Sequence, residues 1–158
     1  MTFTKMAFTE IVRLEAKKRH ESHKNHATSR PLSPDYEFLG LSGELEFAQQ
    51  TGVMIDLERR LDGDKGVDFV VPVRLSVDVK TARKPFHLIH EAGKKFADLY
   101  VLAKYDDEKE KADLIGWEFG SALKAAPTKD FGYGIINHYI PAGDLRPMHT
   151  LINRIKFG

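Results

Sequence analysis

Apolar positions recur at helical spacing over residues 5–24. Met6, Phe8, Ile11 and Leu14 fall near one face, while Arg13, Lys17, Lys18 and Glu21 turn to water. The rhythm fails over residues 22–35, SHKNHATSRPLSPD, where Pro31 and Pro34 predict a flexible loop. A second helix is expected over residues 35–51, with Leu41, Leu45, Phe47 and Ala48 as its apolar surface and Gly52 as its stop. Glu44 lies one turn before Ala48 and shares its face. That is an unusual place for a carboxylate unless it is paired or bound to metal. Glu46 is expected to face solvent.

The pattern then changes from helical spacing to alternation. Residues 53–61 alternate loosely up to the turn Asp62-Gly63-Asp64-Lys65-Gly66, and residues 67–73 follow as a strand. Residues 75–81 set Leu75, Val77 and Val79 against Ser76, Asp78 and Lys80. The short connections suit an antiparallel meander. Residues 86–97 predict a helix, weakened by Gly93. Further strands are expected over residues 99–105, over 114–119 beyond the polar hairpin DDEKEK, and in FGYGIINHYI. Residues 145–155 can form a closing helix with Pro147 in its first turn. The sum is one α/β domain over residues 1–158, a central mixed β-sheet flanked by helices, with no linker and no internal repeat.

Composition narrows the class. Hydrophobic residues at 42% and charged residues at 30% fit a folded, soluble chain. No apolar run approaches the roughly 20 residues that span a bilayer, and the N-terminus lacks the pattern of a secretion signal. Cysteine is absent, which excludes disulfides, thiolate chemistry, Cys-ligated zinc and iron–sulfur clusters and leads to the expectation of a cytoplasmic protein.

The net charge is only +1, but it is unevenly distributed. Residues 1–31 carry seven basic side chains against three acidic ones, whereas residues 35–68 carry nine acids against Arg59, Arg60 and Lys65. A basic face beside an acidic pocket suits a phosphate polymer gripped near a metal. Two ordinary solvated surfaces account for the same numbers. His20, His23 and His26 have helix-like spacing, which a polar helix end explains as well as a metal site does.

The chemistry concentrates in GDKGVDFVVPVRLSVDVKTARK. Asp68 opens one candidate strand, and Asp78 and Lys80 share a face of the next while Val79 points into the core. Adjacent antiparallel strands can bring Asp68 close to Asp78. Two neighbouring ionised carboxylates repel, and a divalent cation removes that cost. Mg²⁺ takes oxygen ligands and keeps several waters, so a few carboxylates suffice, with Mn²⁺ as a substitute. The Val79 backbone carbonyl and Glu44 are further candidate ligands. Lys80 can orient an attacking water or stabilise charge on a phosphoryl transition state. Asp62 and Asp64 read as turn residues.

This pattern resembles the PD-(D/E)XK nuclease superfamily, the restriction-endonuclease-like and Holliday-junction-resolvase-like group. Asp68 matches the first strand aspartate, Asp78-Val79-Lys80 the (D/E)-x-K element, and Glu44 the helix glutamate of many members. The likeness covers roughly residues 40–119, and Val67 stands where the family motif has proline. The resemblance implies a restriction-endonuclease-like core and metal-dependent hydrolysis of DNA phosphodiesters.

Thr81, Arg83 and Lys84 follow the motif directly and are expected to contact phosphate oxygens, with Lys94 and Lys95 as a second patch on the 86–97 helix. His87 and His90 read as partly buried structural residues with a conceivable auxiliary role. Trp117, Phe119, Tyr100 and Tyr105 read as core rather than base-stacking groups. The leading expectation is a Mg²⁺- or Mn²⁺-dependent endonuclease acting on duplex or branched DNA, with RNA left open. A homodimer would match the twofold symmetry of a duplex. The small size suits a structure-directed or low-specificity nuclease of the kind a phage or mobile element encodes. The competing expectation is a non-catalytic module with a nuclease-like fold that binds DNA or joins an assembly.

Overall fold

The computed structural model describes residues 35–53, 69–71 and 75–157. The helix expected over residues 5–24, the loop before Asp35, most of the strand expected over residues 53–61, and Asp68 lie outside the described residues.

Helix α1, Tyr36–Thr51, ends as its sequence predicts. Gly52 adopts a left-handed φ of 76°, and its N–H reaches the Ala48 carbonyl at 2.9 Å. Such a backbone is cheap only for a residue without a Cβ. The helix is not one-sided. Every residue from Leu41 to Phe47 is buried, including Ser42, Glu44 and Glu46. The buried hydroxyls stay satisfied because Ser42 Oγ donates to the Phe38 carbonyl at 2.8 Å and Thr51 Oγ1 to that of Phe47 at 2.7 Å.

Strands β1 (Phe69–Val71), β2 (Leu75–Ala82), β4 (Leu99–Asp106) and β5 (Lys111–Phe119) form a mixed sheet in the order β1-β2-β4-β5. Its outer pairs are antiparallel and the central pair, β2 with β4, is parallel. A parallel pair needs a long crossover. Here the crossover carries β3 (His87–Glu91), which belongs to a second, antiparallel sheet of order β3-β7-β6, with β6 at Thr128–Asp130 and β7 at Ile136–Pro141. Short helix α2 (Gly120–Ala125) and closing helix α3 (Met148–Phe157) complete the described elements.

The two sheet faces have separate cores. Leu39 and Phe47 of α1, with Met148 and Leu151 of α3, pack on Val77, Val79, Val101, Ala103 and Trp117. On the other face, Tyr100 and Leu102 meet Leu88 of β3, Leu123 of α2 and Ile140 of β7. Helices therefore cover one face, and the small second sheet with α2 covers the other.

Two expectations are corrected here. The segment expected as a helix over residues 86–97 is β3 followed by a turn, because His87–Glu91 pairs with Asn137–Pro141, about 50 positions away in sequence. Glu46 is buried at 4% exposure rather than solvent-facing: its carboxylate accepts from Gln50 Nε2 at 2.7 Å and lies 3.6 Å from Lys111 Nζ on β5. The C-terminus is fastened through Trp117, whose backbone bridges Arg146. Its indole N–H points at the Pro147 carbonyl (3.1 Å) and Thr150 Oγ1 (2.8 Å).

Candidate functional site

The centre of the candidate site is the Asp78–Lys80 pair on β2. In the parallel register Asp78 lies beside Tyr100 and Lys80 beside Leu102, so both share the face of the second core. Val77 and Val79 take the α1 face. Asp78 is only 4% exposed, and its Oδ2 lies 3.0 Å from Lys80 Nζ. A buried carboxylate needs such compensation, and the half-buried lysine stem supplies it while the chain continues toward the surface.

His90 of β3 stands next to this pair. Its ring packs on Phe96 at 4.1 Å between centroids and meets Tyr100 edge-on at 5.5 Å. Because a carbonyl can only accept, Nε2 carries the proton it shares with the Lys94 carbonyl at 3.2 Å. Nδ1 then accepts from Tyr100 Oη at 3.3 Å, and Oη in turn accepts from the Ala97 N–H at 2.9 Å. Burial pushes the imidazole pKa down. The Lys94 carbonyl opposes that, the Lys80 ammonium lowers the pKa further, and the Asp78 carboxylate acts against it. The neutral ring is thus a strut joining β3, β4 and the turn between them, in line with the structural reading of His90.

Glu44 approaches from the α1 layer. It is 2% exposed and lies about 200° around the helix from Glu46, the residue that meets Lys111 of β5. The structure therefore brings Asp78 and Lys80 into contact on one face, and supplies Glu44 from the layer on the other. Among the described residues no group of three potential ligating side chains forms a metal cluster. Asp68 lies outside that set, and β1 begins one residue later, with Phe69 opposite Val77.

The expected phosphate contacts divide. Thr81 is turned under α1: its Oγ1 is buried without a hydrogen-bond partner, facing Gly43 rather than solvent. Arg83 is already engaged. Its guanidinium makes paired bonds to Asp35 (3.0 and 2.6 Å) and to Asp107 (2.7 and 3.1 Å). These carboxylates hold its pKa above the ordinary arginine value, and the guanidinium in turn pulls that of Asp107 down. Both residues are better read as structural, because the Thr81 hydroxyl is buried and four of the five Arg83 donors are already engaged. Lys84 is exposed. Lys94 and Lys95 are exposed on the turn after β3, not along a helix, and Lys94 Nζ lies 3.2 Å from Glu91.

The sequence reading missed a pocket of about 490 Å³ at the C-terminal end of β2. Lys80, Lys84, Phe86, Tyr133 and Asn137 contribute to its lining, and among the described residues no Asp or Glu does. Phe86 is 71% exposed and Tyr133 60%. The available signal was Gly132-Tyr133-Gly134, an aromatic residue between two glycines that both take positive φ.

Comparison with protein-family models and with curated proteins returns no match for this chain. Among the described residues no helix is long and apolar enough to cross a membrane.

Proposed function

We propose that the chain is a divalent-metal-dependent nuclease with a PD-(D/E)XK-type site on a restriction-endonuclease-like core. The observation that carries the reading is the contact between buried Asp78 and Lys80, two positions apart on an inner strand of a mixed sheet. A structural ion pair does not need an interior strand. A lysine held by a carboxylate at the wall of a surface pocket can supply the charge stabilisation that phosphoryl transfer calls for. The mixed sheet with α1 packed on it is compatible with the proposed core.

The donor set suits Mg²⁺ or Mn²⁺ in kind: carboxylates of Asp78 and Asp68, with the Val79 carbonyl as a further oxygen donor, and no soft ligand. When bound, the cation would offset charge on the phosphate and lower the pKa of water. Lys80 acts separately. Its ammonium, oriented by Asp78, holds the attacking water or the developing negative charge at the phosphoryl oxygen. Glu44 enters from α1 as a positioning carboxylate. Lys84, Lys94 and Lys95 draw the phosphate backbone toward this edge without reading sequence. A homodimer would place two such sites for two cuts.

The deciding experiment incubates purified protein with Mg²⁺ or Mn²⁺ and linear, nicked, flapped and four-way-junction DNAs, with an RNA control. Cleavage that requires metal and disappears in Asp78→Asn supports the proposal. DNA binding without cleavage of any substrate in either metal would favour a non-catalytic binding module.

A further inference from the structure

We propose that the pocket beside Lys80 receives one unpaired nucleobase, so that the substrate is DNA with an unstacked nucleotide next to the scissile phosphate. This deepens the nuclease reading and rests on it.

The location comes first. The pocket is lined by the C-terminal end of β2 from Lys80 through Lys84. Open sheets containing parallel strands commonly bind ligands beyond the carboxyl ends of those strands. Whatever fills the pocket is therefore a near neighbour of the Lys80 ammonium. At about 490 Å³ it falls within the size range of small-molecule sites, and a continuous duplex cannot enter it.

The walls fit a base. Phe86 and Tyr133 offer aromatic faces at 71% and 60% exposure, and stacking on such faces tolerates any base. Tyr133 is held in place: Asp130 Oδ1 accepts from the backbone N–H groups of Gly132, Tyr133 and Gly134 at 2.8, 3.0 and 3.1 Å. Asn137, at 4% exposure, also belongs to the lining; its carboxamide oxygen is buried without a hydrogen-bond partner, and its Nδ2 donates to the Ile135 carbonyl. The charge agrees, since the described residues of the lining include Lys80, Arg83 and Lys84 and no acid. Arg83 is committed to Asp35 and Asp107, which leaves exposed Lys84 to meet the phosphate that accompanies the base.

The test uses the full chain in Ca²⁺ or EDTA, and fluorescence anisotropy on two oligonucleotides of equal length. One is fully paired and the other carries a single bulged 2-aminopurine. The parent should bind the bulged DNA about 10-fold more tightly and quench the 2-aminopurine emission, as expected for one stacked base. Phe86→Ala and Tyr133→Ala, both at exposed positions, should each remove most of that preference and leave affinity for the paired duplex unchanged. Equal affinity for the two DNAs, or a preference unmoved by both substitutions, overturns the pocket proposal. Cleavage assayed separately keeps the two readings apart. Metal-dependent cutting of paired DNA that ignores both substitutions leaves the nuclease standing without the pocket. A pocket-dependent bulge preference with no cutting in Mg²⁺ or Mn²⁺ overturns the nuclease and keeps the pocket.

Discussion

Gly43 and Thr81 meet where α1 crosses β2, so closely that a Cβ on Gly43 would collide with Thr81 Oγ1. It would also come within 3.1 Å of Thr81 Cβ and 3.2 Å of Val79 Cγ1. The glycine sets the depth at which α1 rests on the strand bearing Asp78 and Lys80. It also sets the height from which the adjacent Glu44 is presented.

Gly43→Ala should therefore destabilise the protein, although alanine is the better helix former by about 1 kcal/mol. Overpacking of this kind costs about 1–3 kcal/mol, and the net loss is read as a lower urea midpoint. Thr81→Ala, which also removes an unsatisfied hydroxyl, should rescue it. A double-mutant cycle should give a coupling of about 1 kcal/mol or more, and additive effects would show that the contact does not set the packing.

Lys80→Met retains the aliphatic stem and removes the ammonium. Under the nuclease proposal it should bind DNA within a few-fold of the parent and cut about 100-fold more slowly or worse in single-turnover assays. Lys80→Arg should rescue poorly, because a planar guanidinium cannot place its charge where a compact ammonium does. Near-parental cutting by Lys80→Met would leave Lys80 as the partner of Asp78 and nothing more.

Arg83 and Lys84 are neighbours with opposite expected behaviour. Arg83→Ala should lower the melting temperature by a few degrees by releasing Asp35 from Asp107, and should leave the salt dependence of DNA binding unchanged. Lys84→Ala should reduce the salt slope by about one ion and leave melting unchanged. Lys94→Ala and Lys95→Ala should behave like Lys84→Ala. An unaltered slope in all three lysine variants would remove this edge from the DNA-binding surface.

His90 gives a pH dependence whose sign follows from its lowered pKa. As pH falls through the unfolded value of about 6.5, the unfolded chain takes up a proton that the folded chain resists. Stability contributed by the neutral ring is thus present above that pH, declines below it, and levels off beneath the folded pKa. Denaturant titrations at pH 7.5 and 5 should show this loss. His90→Gln, which retains a donor and an acceptor, should flatten it, and an unchanged acid slope would place the titration elsewhere.

Alternation was enough to put Asp78 and Lys80 on one face and Val79 in the core, because a strand fixes side-chain direction locally. The end of α1 was legible for the same reason, since Gly52 carries its own stop signal. What escaped depends on distant partners. Residues 87–91, HLIHE, read as helix or strand equally well, and β7 decides between them. Glu46 is burial-tolerant only because Lys111 and Gln50 come to it. Arg83 resembled a phosphate contact until Asp35, 48 residues earlier, and Asp107, 24 later, were seen to hold it.

The fastening of the C-terminus has a practical side. Trp117 is the only tryptophan in the chain, and its indole is capped by Pro147 and Thr150 at the start of α3. Intrinsic emission consequently reports the seating of that last helix rather than the Asp78–Lys80 strand. A red shift without loss of secondary structure would record the tail lifting off its sheet, a local opening that the rest of the fold can survive.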